Sequence, residues 1–174
     1  MMADGRSAFM GVLFLLLFYY ITGNIEIASK PWRNKDFKIV HQNIRGLFTK
    51  KELLEYFITE NNIQIIGVTE TLLNEHIPSQ PVNINGYNFE RRDRESSGGG
   101  VGAYIKKGIE YLRRFDLECC DIEFICLEIF SPHTKPFFVC ILYRPPDSSK
   151  HLSKSFTESF QKTLTRSPTK TKNF

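Results

Sequence analysis

Ile63-Gln64-Ile65-Ile66-Gly67-Val68-Thr69 runs directly into Glu70. The run is short and nearly all apolar, the pattern of a strand covered on both faces. Such a strand needs a layer above it and a layer below it, which points to a mixed α/β architecture. It also delivers a carboxylate to its C-terminal end, where open α/β sheets place their ligands. A lone carboxylate is a good hard-cation ligand, because Mg2+ takes oxygen donors and keeps several of its waters. A solvated residue capping the following turn is the alternative reading of Glu70, and position alone leaves both open.

On the N-terminal side, Asn61-Asn62 ends a helix expected to open at Thr49. Thr49-x-x-Glu52 reads as a capping box, and Leu53, Leu54, Phe57 and Ile58 as the buried stripe. Before the helix, Phe37 to Asn43 alternates and is β-branched, as a strand does. Asn43 ends that strand as Glu70 follows the other. Its side chain can orient a phosphate or a metal ligand, or it can simply build a turn. Residues 25–36 are polar, contain Lys30-Pro31 and read as a linker. Residues 1–24 hold an unbroken apolar run from Phe9 to Ile21. A spanning helix needs about 20 residues, so this run is short for an anchor unless its uncharged flanks are counted. Signal peptide, membrane anchor and stray upstream sequence all remain open, and a helix over roughly Ala8 to Ile21, packing little against the body, is expected.

On the C-terminal side strands dominate: Tyr87 to Arg91, Val101 to Lys106, Phe124 to Phe130 and Phe137 to Tyr143. Gly98-Gly99-Gly100 is followed by no Gly-Lys-Ser/Thr, which argues against a phosphate-binding loop and for a hairpin entry. Arg91-Arg92-Asp93-Arg94 reads either as a DNA-backbone contact, since arginine pairs bidentately with phosphate, or as a solvated hairpin. Residues 150–174 form a basic polar tail in which Phe156, Phe160 and Leu164 recur at helical spacing.

The chain has 174 residues, 41% hydrophobic and 24% charged, which suits one globular domain and excludes a disordered chain. The net charge of +4 is compatible with a polyanionic partner without requiring one. Cys119, Cys120, Cys126 and Cys140 form no CxxC pair, and reduced structural thiols are expected. Of the four histidines, His41 shares a strand face with Asn43, whereas His133 follows Pro132 and His76 lies two residues before Pro78.

Four blocks together resemble a known family. They are Ile39-Val40-His41-Gln42-Asn43-Ile44-Arg45-Gly46-Leu47, Ile66-Gly67-Val68-Thr69-Glu70-Thr71-Leu72-Leu73, Gly86-Tyr87 through Arg91-x-Asp93-Arg94 to Gly98-Gly99-Gly100-Val101-Gly102-Ala103-Tyr104, and Leu142-Tyr143-Arg144-Pro145-Pro146. Their order and approximate spacing resemble the endonuclease domains of non-LTR retrotransposons. Those domains are similar to apurinic/apyrimidinic endonucleases and DNase I, of the endonuclease/exonuclease/phosphatase kind. The resemblance covers roughly Lys35 to Ser149, within a partial domain of residues 37–149. It implies a DNase I-like α/β (α+β) sandwich and Mg2+-dependent (or Mn2+-dependent) hydrolysis of DNA phosphodiesters, in the nucleus or cytoplasm. A membrane-anchored or secreted protein, touching the membrane through residues 9–21, is the alternative if the leader acts.

The resemblance further implies roles residue by residue. Asn43 joins the active-site hydrogen-bond network, Glu70 holds Mg2+, and Tyr143 contacts the scissile phosphate. Arg91, Arg92, Arg94 and Arg144 are weaker candidates for contacting nucleic acid. No small-molecule cofactor is expected.

The family pattern continues with a Gly-Asp-x-Asn block and a Ser-Asp-His block, and this sequence contains neither. A truncated domain is therefore expected: mainly one mixed β-sheet, a helix on one face, an N-terminal apolar helix, and an uncovered inner sheet face. Without those blocks nothing activates the attacking water, so the nicking activity is expected to be lost or crippled. A non-catalytic module binding nucleic acid or protein is the alternative.

Overall fold

The computed structural model describes the backbone of residues 12–17 and 26–29, and residues 37–94, 98–119, 122–130, 135–145, 156–158 and 161. The architecture is mixed α+β, built mostly of strands in two sheets. In chain order the elements are β1 (Val12–Leu17), β2 (Glu26–Ser29), β3 (Lys38–Asn43), α1 (Leu47–Glu60), β4 (Ile65–Thr69) and a 3-10 turn (Gln80–Val82). There follow β5 (Tyr87–Arg92), β6 (Val101–Lys106), β7 (Glu110–Arg113), β8 (Glu123–Phe130) and β9 (Phe137–Tyr143).

One sheet has the order β2-β3-β4-β6-β5 and the other β1-β9-β8-β7. The expectation of mainly one sheet is corrected here, and the reason lies in strand pairing. β6 is flanked on one side by β4 and on the other by β5. The chain beyond Lys106 therefore finds no open edge beside it, and β7, β8 and β9 pair among themselves as a second sheet.

The two sheets pack face to face. Ile39, Ile65, Val101, Ala103 and Ile105 meet Ile125, Leu127, Ile129, Val139 and Ile141 in one buried layer. The inner face expected to lie uncovered is thus covered by this chain's own strands. Gly67 permits the close approach: a Cβ there would stand 2.6 Å from Ile141 Cγ1, inside any real contact. A second layer lies between the first sheet and α1, where Val40, Ile66, Val68 and Tyr104 pack on Leu47, Leu54 and Ile58. β4 is buried along its whole length, as its apolar sequence requires. A third layer on the outer face of the second sheet joins Phe124, Cys126, Phe138, Cys140 and Leu142, with Phe156 against it. Cys126 and Cys140 are free thiols that face each other across β8 and β9 with their sulfurs 3.4 Å apart.

Three local expectations are also revised. The helix starts at Leu47, not Thr49, and no capping box forms: Thr49 Oγ1 donates to Gly46 O at 3.2 Å. Two amides at the helix start are satisfied instead by carbonyls just beyond β4, with Gly46 N donating to Glu70 O at 2.8 Å and Leu47 N to Thr71 O at 2.9 Å. Within α1, Leu54 and Ile58 are buried but Leu53 is 70% exposed, because it lies a hundred degrees around the helix from Leu54.

The third revision concerns the N-terminal stretch. In place of the expected apolar helix, Val12–Leu17 forms a strand parallel to β9, in register from Val12↔Phe138 to Leu17↔Tyr143. A short apolar run fits a helix or a covered strand equally well, and the open edge of β9 decides between them by offering backbone partners. Among the described residues no helix is long and apolar enough to cross a membrane. The expected linker likewise holds a strand, β2, antiparallel to β3. In the tail, residues 156–158 and 161 are helical, whereas Phe160 and Leu164 lie outside the described residues.

Candidate functional site

The site lies where β3, β4 and β9 end and β6 and β8 begin. Asn43 pairs with Thr69 on the β3–β4 ladder, and Glu70 is the next residue. Across the sandwich Tyr143 closes β9 opposite Glu123, which opens β8. The Tyr143 hydroxyl donates to Glu70 Oε1 at 3.2 Å. With mainly one sheet expected, the three residues would share it; instead Asn43 and Glu70 come from one sheet and Tyr143 from the other, and all three stand at the same end.

The backbone here is unusual. Arg45, Glu70 and Leu72 adopt φ of 46°, 54° and 55°, left-handed values that non-glycine residues rarely take. Hydrogen bonds between loops hold them so. Ile44 N donates to Thr69 O at 2.9 Å, Thr71 N to Gly100 O at 3.2 Å and Leu72 N to Gly99 O at 3.0 Å. Gly100 has φ 87°, and a Cβ there would meet Thr71 Oγ1 at 2.3 Å, so only glycine fits. Strained backbone persists where its surroundings over-determine it, and such positions cluster at functional sites.

Asn43 Oδ1 accepts from Arg45 N at 3.3 Å and builds the turn into α1. Glu70 is half-buried and has no ion-pair partner among the described residues. Burial pushes the Tyr143 phenol well above its usual range; the Glu70 charge and hydrogen bond add to this, and Arg94 opposes it. Tyr143 is therefore a neutral donor at physiological pH.

The four arginines are placed differently from one another. Arg91 is a structural clamp: its guanidinium pairs with Asp93 and donates to Ile77 O at 2.9 Å and Asn74 O at 2.8 Å. Arg92 points to Phe124 O and lies 3.9 Å from Glu118. Arg94 belongs to the site, over the Tyr143 ring at 5.7 Å and ion-paired with Glu123. Arg144 lies over the Phe156 ring at 5.7 Å. Arg91, Arg92 and Arg94 each have a partner within the protein.

Glu123 is the residue that sequence reading missed. The apolar pattern marks the strand from Phe124, one residue late, and the register that sets Glu123 opposite Tyr143 is not written locally. Its one signal is a carboxylate at the mouth of an apolar run.

His41 is 2% exposed, and burial lowers its imidazole to about 3. It is neutral and sealed between the sheets, which removes it as a base for solvent chemistry. Its Nε2 and Thr69 Oγ1 are buried without a hydrogen-bond partner among the described residues.

Among the described residues no three His, Cys, Asp or Glu side chains cluster as a metal cage. A Mg2+ ion takes one carboxylate oxygen and several waters, and the half-buried Glu70 side chain, unpaired with any cation among the described residues, would fit it as that one carboxylate. Compared with known proteins, the chain matches no protein-family model and no curated protein.

Proposed function

We propose that this chain is part of a DNase I-like, metal-dependent DNA endonuclease domain of the non-LTR retrotransposon type. In this reading Glu70 holds Mg2+ or Mn2+, Tyr143 donates to the scissile phosphate, and Asn43 offers its carboxamide to the same network. The carrying observation is the Glu70–Tyr143 hydrogen bond across the two sheets at 3.2 Å, with Glu70 in a strained left-handed conformation. A carboxylate held so, without a cation, is prepared for one. The two-sheet sandwich with α1 on one outer face agrees with that fold type.

Phosphodiester hydrolysis needs a Lewis acid on a phosphate oxygen, donors for the developing charge, and an activated water. A bound divalent cation supplies the first. Tyr143, neutral at physiological pH, supplies a donor. The 174 residues contain no Gly-Asp-x-Asn and no Ser-Asp-His block, and buried His41 is no substitute for a base. Such groups act as a unit, so these residues by themselves bind the metal and do not turn over.

The test has two arms on the full chain. Mn2+ binding, read by electron paramagnetic resonance of the free ion, is expected in the wild type and lost in Glu70→Gln. Nicking of supercoiled DNA with Mg2+ or Mn2+ is expected to stay at background. Equal Mn2+ binding by both proteins would sink the ligand role, and nicking abolished by Glu70→Ala would sink the inactive reading.

A further inference from the structure

Glu123 binds two parts of the site at once. Its Oε1 accepts from Arg94 Nε at 2.7 Å and also pairs with Arg94 Nη2, while its Oε2 accepts from Gly100 N. Arg94 is thereby held over the ring of Tyr143, whose hydroxyl is on Glu70. The side chains of Arg94 and Glu123 are each 14% exposed, so the pair is largely removed from water, where charges act strongly on their neighbours.

Three charges therefore surround Tyr143: two carboxylates and one guanidinium. Among the described residues only Glu123 ion-pairs with the guanidinium. Were it free, Arg94 would find the other carboxylate at the same ring, Glu70, and occupy it as a cation does. Arginine is always charged and forms strong charge-assisted bonds with carboxylates, so it would compete directly with a metal.

We propose that Glu123 is a positioning residue that sequesters Arg94 and so keeps Glu70 open for a divalent cation. This rests on the reading of Glu70 as a cation ligand. Counting Glu70, Glu123 and Arg94, the wild-type site carries one net negative charge. Glu123→Gln carries none, Arg94→Gln carries two, and the double variant returns to one. A purely structural role for Glu123 predicts a different order, in which every variant binds worse and the double variant worst of all.

The experiment is Mn2+ titration of the full chain, followed by electron paramagnetic resonance, on the wild type, Glu70→Gln, Glu123→Gln, Arg94→Gln and the Glu123→Gln/Arg94→Gln double variant. Far-UV circular dichroism monitors the fold of each. Affinity in Glu123→Gln is expected to fall about ten-fold, the scale of one charge placed within a few ångströms. Arg94→Gln is expected to bind more tightly than the wild type, and the double variant to return close to it. Wild-type affinity in Glu123→Gln, or a double variant as weak as Glu123→Gln, overturns the proposal while leaving the ligand role of Glu70 intact. If Glu123→Gln does not fold, Arg94→Gln decides: failure to tighten overturns the proposal. Mn2+ binding indifferent to Glu70→Gln overturns both readings together.

Discussion

Tyr143, the last residue of β9, donates its hydroxyl to Glu70, the first residue beyond β4, and so ties the open ends of the two sheets together at 3.2 Å. A partly buried hydrogen bond to a charged acceptor contributes about 1.5–3 kcal/mol. Tyr143→Phe removes it and keeps the ring. Urea unfolding of that variant is expected to show a loss near the lower end of that range, since Glu70 regains water, with an unchanged m-value. A loss below about 0.5 kcal/mol would mean that the bond is not kept in solution. The raised Tyr143 pKa sets a pH sign: the folded protein keeps the phenol proton after the unfolded chain starts to release it. The contribution is full below pH 10 and is lost as pH rises beyond it. The alkaline fall in stability is expected to be shallower in Tyr143→Phe.

Arg91, a weaker candidate for contacting nucleic acid, clamps the segment from Asn74 to Ser79. Its side chain is 15% exposed, so its removal leaves Asp93 and two carbonyls unpaired. Arg91→Ala is expected to lower stability by about 2–4 kcal/mol. If the same variant kept full stability and instead lost DNA affinity in a salt titration, the clamp assignment would fail.

His41 gives the acid side a signature. The imidazole titrates near 6.5 in the unfolded chain and is lowered to about 3 by burial in the fold. The contribution is whole above pH 6.5 and is lost as pH falls toward 3, because the unfolded chain takes up a proton that the folded one refuses. By pH 4 the loss is on the order of 3 kcal/mol. Chemical denaturation from pH 7 to 4 is expected to show this slope in the wild type and a slope smaller by one proton in His41→Leu. Parallel slopes in the two proteins would place the titration elsewhere.

Deleting residues 1–24 removes β1 and bares the edge of β9. The amides of residues 138–143 that pair with β1 then face water. Faster hydrogen exchange confined first to that strand, with a lower melting temperature, is the expected outcome. Exchange at those amides unchanged by the deletion would show that the β1 pairing contributes nothing in solution.

What the sequence by itself determined is everything carried by local pattern. The period and apolarity of Ile63–Thr69, Val101–Lys106 and Phe137–Tyr143 placed β4, β6 and β9 to within two residues, because a strand covered on both faces has no other composition. The positions of Asn43, Glu70 and Tyr143 at strand ends were equally legible. β7, with its sequence Glu110-Tyr111-Leu112-Arg113, was not, because a short edge strand that exposes half its residues has no apolar signature.

What only the tertiary structure decided is what depends on partners distant in the chain. The number of sheets followed from which strand edges were already occupied, and the fate of Val12–Leu17 followed from the open edge of β9. Thr49 does not cap the helix because α1 begins two residues earlier, where carbonyls beyond β4 accept from the amides of Gly46 and Leu47. The sorting of the arginines into clamp and site member depended on Asp93 and Glu123, and the latter reached Arg94 from 29 residues away. Sequence pattern records the layers that cover a residue, whereas pairing records which of several equally suitable edges and charges it meets, and that choice is made by the whole fold at once.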